Sequence, residues 1–151
     1  MNNILVRFIA ENDVDSVARL FDQYRQFYEQ KEDLSLAKKF ISDRYANKES
    51  IIFVAELNQE LVGFCQLYPS FCSLVAAQIY VLYDLYVQPQ YRSHGIARKL
   101  LLEAESLAKR EGIHHLDLTT AKSNVNAQAL YASLGWEKDN SFDLYSKKII
   151  A

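Results

Sequence analysis

The spacing of apolar residues changes period several times along the chain, and each change marks an element. Residues 4–9 read as a first strand. Val14, Val17, Leu20, Phe21, Tyr24 and Tyr28 then recur at helical spacing behind Asn12 or Asp13, either of which can cap a helix. Leu36, Ala37, Phe40, Ile41 and Tyr45 repeat the pattern behind Asp33. From Ser50 the period shortens. Residues 50–57 and 60–68 predict two strands joined at Asn58-Gln59, with Pro69 at a strand end or edge. Residues 74–87 are mostly apolar or aromatic and predict a central strand, ended by Pro89.

Ile96, Leu100, Leu101, Ala104, Leu107 and Ala108 form the stripe of a helix over 96–111, with Gly112 placed to end it. A strand over 114–120, a short helix over 127–134 closed by Gly135, and a last strand over 141–149 complete the chain. The order β-α-α-β-β-β-α-β-α-β describes an α/β fold, a mixed sheet with helices on both faces. Strand 74–87, helix 96–111 and strand 114–120 make a βαβ unit, so those two strands should run parallel.

Composition narrows the class. A length of 151 residues predicts a single domain over 1–151. Half the residues are hydrophobic and 24% are charged, ordinary for a globular protein and against disorder. With 17 Lys and Arg against 19 Asp and Glu the net charge is −2, which speaks against a general nucleic-acid binder. Cys65 and Cys72 fit no zinc spacing and read as free thiols. His115 and Asp117 share a strand face, but two ligands make no metal site. Arg7 interrupts the apolar N-terminal run, no stretch has the length of a membrane span, and a cytoplasmic protein without membrane contact is expected.

Two stretches carry chemistry. Arg92-Ser93-His94-Gly95-Ile96-Ala97 joins the central strand to the next helix. A helix start offers unpaired N–H groups and a positive dipole end. Gly95 lets the backbone approach a ligand, Ala97 keeps the first turn uncrowded, and Arg92, Arg98 and Lys99 add positive charge, an arrangement suited to pyrophosphate. It lacks both the P-loop and the GxGxxG pattern. A plain strand-to-helix turn with surface arginines is the other reading. In the second stretch, 124–136, Asn124 or Asn126 can cap a helix, and Tyr131 lies beside its apolar stripe. The Tyr131 hydroxyl either donates a proton in a cavity or bonds a carbonyl in the core.

Arg92-x-x-Gly95-x-Ala97 behind Asp84-Leu85-Tyr86-Val87 resembles the acyl-CoA signature of the GNAT superfamily of N-acetyltransferases. Asn124-x-x-Ala127-x-x-Leu130-Tyr131-x-x-x-Gly135-Trp136 resembles that superfamily's second motif. The order of elements matches over essentially the whole chain. Residues 84–87 with Tyr131 further resemble the diamine, polyamine and histone-type branch. Ser93 departs from the pattern, standing where the family often has Gly, but it keeps its N–H.

The resemblance implies acetyl transfer from acetyl-CoA to a primary amine. It implies that backbone N–H groups from His94 to Ala97 hold the pyrophosphate, with Arg92, Ser93, Ile96 and Arg98 in the same loop and helix start. The edge at Leu85, Tyr86 and Val87 would pair with the pantetheine arm, Val87 N–H would polarise the thioester carbonyl, and Asn124 would bond the arm as well. Tyr131 matches the general acid. Asp84, alone as a charge among residues 74–87 and flanked by Tyr80, Tyr83 and Tyr86, is either the base or amine anchor or a structural partner.

An acceptor wall would draw on Tyr24, Phe27, Tyr28, Glu29, Glu32, Asp33, Tyr68, Phe71 and Tyr80. Carboxylates and aromatic faces there suit a cationic amine, whether polyamine, lysine-type or aminoglycoside-type. These residues also fit a solvated turn and a plain core. The rival classes are a CoA-binding regulatory module without transfer and a transferase for a longer acyl group. Exposed aromatics and the last strand would allow a homodimer.

Overall fold

The structure is a computed structural model that describes residues 3–150. The chain divides into two compact units, one ending at Thr119 and the other beginning at Thr120. The first holds β1 (Leu5–Phe8), α1 (Val14–Phe27), α2 (Leu34–Ala46), β2 (Ile51–Leu57), β3 (Glu60–Cys72), β4 (Ala77–Val87), α3 (Ile96–Arg110) and β5 (Leu116–Leu118). The second holds α4 (Val125–Ser133). The sheet runs β1-β2-β3-β4-β5. Its first three pairings are antiparallel and β4 pairs with β5 in parallel, as the predicted βαβ unit requires.

Both faces of the sheet are covered. Ile52, Val54, Phe64 and Tyr86 pack with Val17, Phe21 and Ile41 of α1 and α2. Phe53 and Ala55 alternate onto the opposite face and are buried too. There α3 lies on β2, β3 and β4 and buries Leu100, Leu101 and Ala104. Asp33 caps α2 by accepting from Leu36 N–H at 3.0 Å. Asp13 does not cap α1 in this way. Its carboxylate accepts from Arg7 (2.6 Å) and from Ala10 N–H (2.7 Å), while Arg7 also reaches Glu56 at 2.9 Å and so ties β1 to β2.

Three expectations need correction. β3 does not stop at Pro69 but runs through it to Cys72. The β2–β3 pairing ends at Ile51↔Leu67, so Pro69 lies where β3 has a free side and its missing N–H costs no ladder bond. The apolar run before the central strand starts in a turn: Ala76 N–H bonds Ser73 O at 3.1 Å and Ala76 has φ 51, so β4 begins at Ala77. Residues 141–149 form no strand. Phe142, Leu144 and Tyr145 are exposed, and among the described residues no segment pairs with them. Alternation makes a strand only where a neighbour completes its ladder.

Candidate active site

The site grows from an irregularity in β4. Gln66 pairs with Asp84 but Leu67 pairs with Leu82, so Tyr83 is an extra residue on β4. A bulge of this kind reverses the alternation beyond it. Val81 lies on the α1 side before the bulge, and Asp84 and Tyr86 lie on that side after it, whereas Tyr80 and Leu82 point the other way. The bulge also frees the Tyr83 carbonyl, which accepts from the Tyr24 hydroxyl at 3.0 Å.

Asp84 is 3% exposed and has no ion pair among the described residues. The Gln66 side-chain amide donates to its Oδ2. The Ser50 hydroxyl donates to Gln66 Oε1 at 2.6 Å, which fixes the end of the amide that faces the carboxylate. Burial pushes the Asp84 carboxyl up to about 6, against the pull of the hydrogen bond from Gln66. Burial and the nearby Asp84 charge raise the Tyr24 hydroxyl far above its ordinary value, so Tyr24 stays protonated.

Asp84 opens onto a cavity of about 560 Å³ in the first unit. Phe21, Tyr24, Phe40, Tyr68 and Tyr83 give it aromatic walls, and Arg25 and Asp84 are its two charged lining residues. Of the residues expected at an acceptor wall, the cavity gathers Tyr24, Tyr68 and Asp84. Tyr28, Glu29 and Tyr80 do not line it. Tyr28 packs its ring edge against Tyr24 (5.2 Å between centroids) at the end of α1. Glu29 is exposed beyond the helix with φ 64. Tyr80 is buried on the α3 side. Arg25, Gln66 and Ser50 were not singled out by sequence reasoning: a helix-end arginine and two polar residues in strand segments carry no motif.

Beyond the bulge, β4 has a free edge. Gln88 N–H bonds Val62 O at 2.9 Å, so by antiparallel alternation Tyr86 faces β3 while the amides of Leu85 and Val87 face away from it. β5 pairs with β4 only as far as Leu82↔Leu118, leaving those amides beyond its reach. Arg92 Nε donates to the Val87 carbonyl at 2.8 Å, and its guanidinium lies 5.4 Å and 5.5 Å from the Phe27 and Tyr86 ring centroids. Arg92 therefore occupies the Val87 carbonyl and leaves its N–H.

The loop then turns left-handed at Ser93 (φ 65) and Gly95 (φ 79). Gly95 is the N-cap of α3, with no side-chain cap, and a Cβ built on it meets nothing within 4 Å. His94 Nδ1 lies 3.2 Å from Tyr91 O and turns back into the loop. Ile96 is buried as the first apolar anchor of α3, and Ala97 and Arg98 follow in the uncapped first turn. An uncapped helix start, open space at Gly95 and outward strand amides fit a phosphate-bearing ligand with an amide-rich arm.

In the second unit Asn124 Oδ1 accepts from Ala127 N–H at 3.3 Å and caps α4. Tyr131 is half-buried on α4, its ring 6.1 Å from that of Trp136; the Trp136 backbone N–H bonds the Tyr131 carbonyl at 3.0 Å. Among the described residues there is no cluster of metal-ligating side chains and no helix long and apolar enough to cross a membrane.

Comparison with known proteins gives concordant matches. The model of the Acetyltransferase (GNAT) family matches residues 14–136. The chain is 40% identical to an uncharacterized N-acetyltransferase of Bacillus subtilis, covering 97% of this chain and 98% of that protein. It is 24% identical to a thialysine N-epsilon-acetyltransferase of Caenorhabditis elegans, covering 90% and 84%. A crystal structure of a probable acetyltransferase superimposes with a TM-score of 0.88 at 34% identity, covering 99% of each chain.

Proposed function

The chain belongs to the GNAT family of acetyltransferases, and from that premise we propose that it moves the acetyl group of acetyl-CoA to a primary amine held in the aromatic cavity, with Asp84 as the base. The observation that carries this reading is a buried carboxylate that has no cationic partner among the described residues, held by Gln66 at an aromatic cavity on the bulged strand.

Acetyl-CoA, when bound, supplies an acetyl thioester from which an amine can take the acyl group with loss of the thiol. The chain's own residues have three tasks. Holding the donor falls to the amides of Leu85 and Val87 and to the uncapped start of α3 behind Gly95. Val87 N–H, left open by Arg92, is the donor placed to stabilise negative charge on a carbonyl oxygen. The acceptor must lose a proton, because a lysine-type amine titrates near ~10.4. For an amine that titrates as it does in water, transfer to Asp84 at about 6 costs roughly 6 kcal/mol. Loss of water around the amine on entering the cavity lowers its own titration point and so reduces that cost. The leaving thiolate must gain a proton, and Tyr131, which fills the general-acid position of the family motif, is assigned that donation.

The relative named for thialysine acts at an ε-nitrogen, which supports a lysine-type amine, in line with the resemblance to the diamine and polyamine branch. Thiol release from acetyl-CoA against polyamines, amino acids, aminoglycosides and a lysine peptide tests the reading. Turnover of one acceptor class should fall roughly 10²–10⁴-fold in Asp84→Asn and in Tyr131→Phe, with acetyl-CoA affinity kept. Unchanged turnover in either variant removes that residue from the mechanism. Acetyl-CoA binding without turnover of any amine would favour the regulatory module.

A further inference from the structure

Arg25 Nη1 is closed off from solvent and has no hydrogen-bond partner among the described residues, nor does Arg25 form an ion pair there. A guanidinium nitrogen in that state has lost water without replacing it, an arrangement proteins avoid unless something else completes it. Arg25 lines the same cavity as Asp84, from the last turn of α1. The other arginine close by, Arg44, is already bonded to Glu49 at 3.0 Å and lies over the Phe40 ring. The cavity thus carries one anion and one uncommitted cation, which do not pair with each other.

We infer that Arg25 is the carboxylate-binding residue of the acceptor site, so that the amine acetylated here belongs to an amino-acid-like molecule and not to a polyamine. The inference rests on the acetyl-transfer reading above and sharpens it. A planar guanidinium matches a carboxylate with two parallel N–H···O bonds. The amine end of such a molecule goes to Asp84 and its chain lies along Tyr24, Tyr68 and Tyr83. A polyamine fits this charge pattern badly, because its second ammonium would meet Arg25 instead of a carboxylate.

The test compares acceptors that differ only in the carboxylate. Glycine, β-alanine, γ-aminobutyrate, ε-aminocaproate and L-lysine are each matched with the amine lacking that group, cadaverine for L-lysine. Affinity is measured by calorimetry with CoA present, and turnover by thiol release. At least one carboxylate-bearing member should bind at least 10-fold more tightly than its match. Arg25→Met should abolish that preference and leave the affinity of the matched amine within about twofold, a split that a merely structural arginine would not produce. Arg25→Lys should restore part of the preference. Equal affinities across every pair, or equal losses for both members in Arg25→Met, overturn the inference while leaving amine acetylation standing. Arg25-dependent binding without turnover keeps the subsite and sinks the transfer reading. Binding by neither series sinks both.

Discussion

At the scale of single residues the account turns on Asp84, and its cost is measurable. Its folded-state value of about 6 lies above the ordinary 3.8, so on acidification the folded protein takes up this proton before the unfolded chain does. The ionised carboxylate therefore weakens the fold by an amount that is greatest above pH 6, shrinks between 6 and 3.8, and vanishes below that. The gap corresponds to about 3 kcal/mol. Asp84→Asn should be more stable than the parent at pH 8 by up to that amount, with the difference closing near pH 4; denaturant melts at the two pH values check it. Gln66 acts in the opposite sense, since its hydrogen bond favours the charged form. In Gln66→Met the acidic limb of the activity profile should move to higher pH. A limb that stays in place would mean that Gln66 only fills space.

The sequence marked Asp84 as a candidate through a lone charge in an apolar run, and residues 92–97 through a glycine before a helix; the structure buries the first and leaves the start of α3 without a side-chain cap. Gln66 was not legible, because it becomes a partner only through strand register. Nor was Arg25, whose significance lies in what it fails to touch.

Among the elements, β4 carries most of the candidate site. Simple alternation would place Tyr80 on one face with Asp84 and Tyr86, where an acceptor wall could use it. The extra residue at Tyr83 reverses the alternation and substitutes Val81. A bulge leaves no mark in composition, so the element was readable and its twist was not. The last strand failed for a related reason: residues 141–149 have a strand's alternation but no pairing partner among the described residues. Neighbouring backbones are also fitted closely. A Cβ on Gly63 would stand 2.9 Å from the Tyr86 carbonyl oxygen and 3.2 Å from Val87 Cγ2. Gly63→Ala should displace β4 beneath Val87 and cost roughly 1–3 kcal/mol of stability. Denaturant unfolding reads the loss, and a loss of acetyl-CoA affinity should accompany it. A neutral substitution would show that β4 tolerates the shift. Gly95→Val tests the loop separately. Its φ of 79 is strained for a branched side chain although space is open, so donor binding should weaken more than the fold.

For the whole molecule, the α/β class, the order of elements through α4 and the family were readable, because two motifs fell on the right elements in the right order. The parallel β4–β5 pair, with β5 stopping at Leu118, leaves an open strand edge beside a helix start in the same unit as the aromatic cavity. That is where a donor and an acceptor can be served by one strand: Asp84 toward the cavity, Val87 N–H toward the free edge. In the proposed transfer Asp84 must be ionised. That requirement is tested most directly by the pH dependence of kcat/KM for an accepted amine, in the parent and in Asp84→Asn. The parent should show an acidic limb near 6, and that limb should disappear, with most of the activity, in the variant. A variant that kept both the activity and the limb would contradict that requirement.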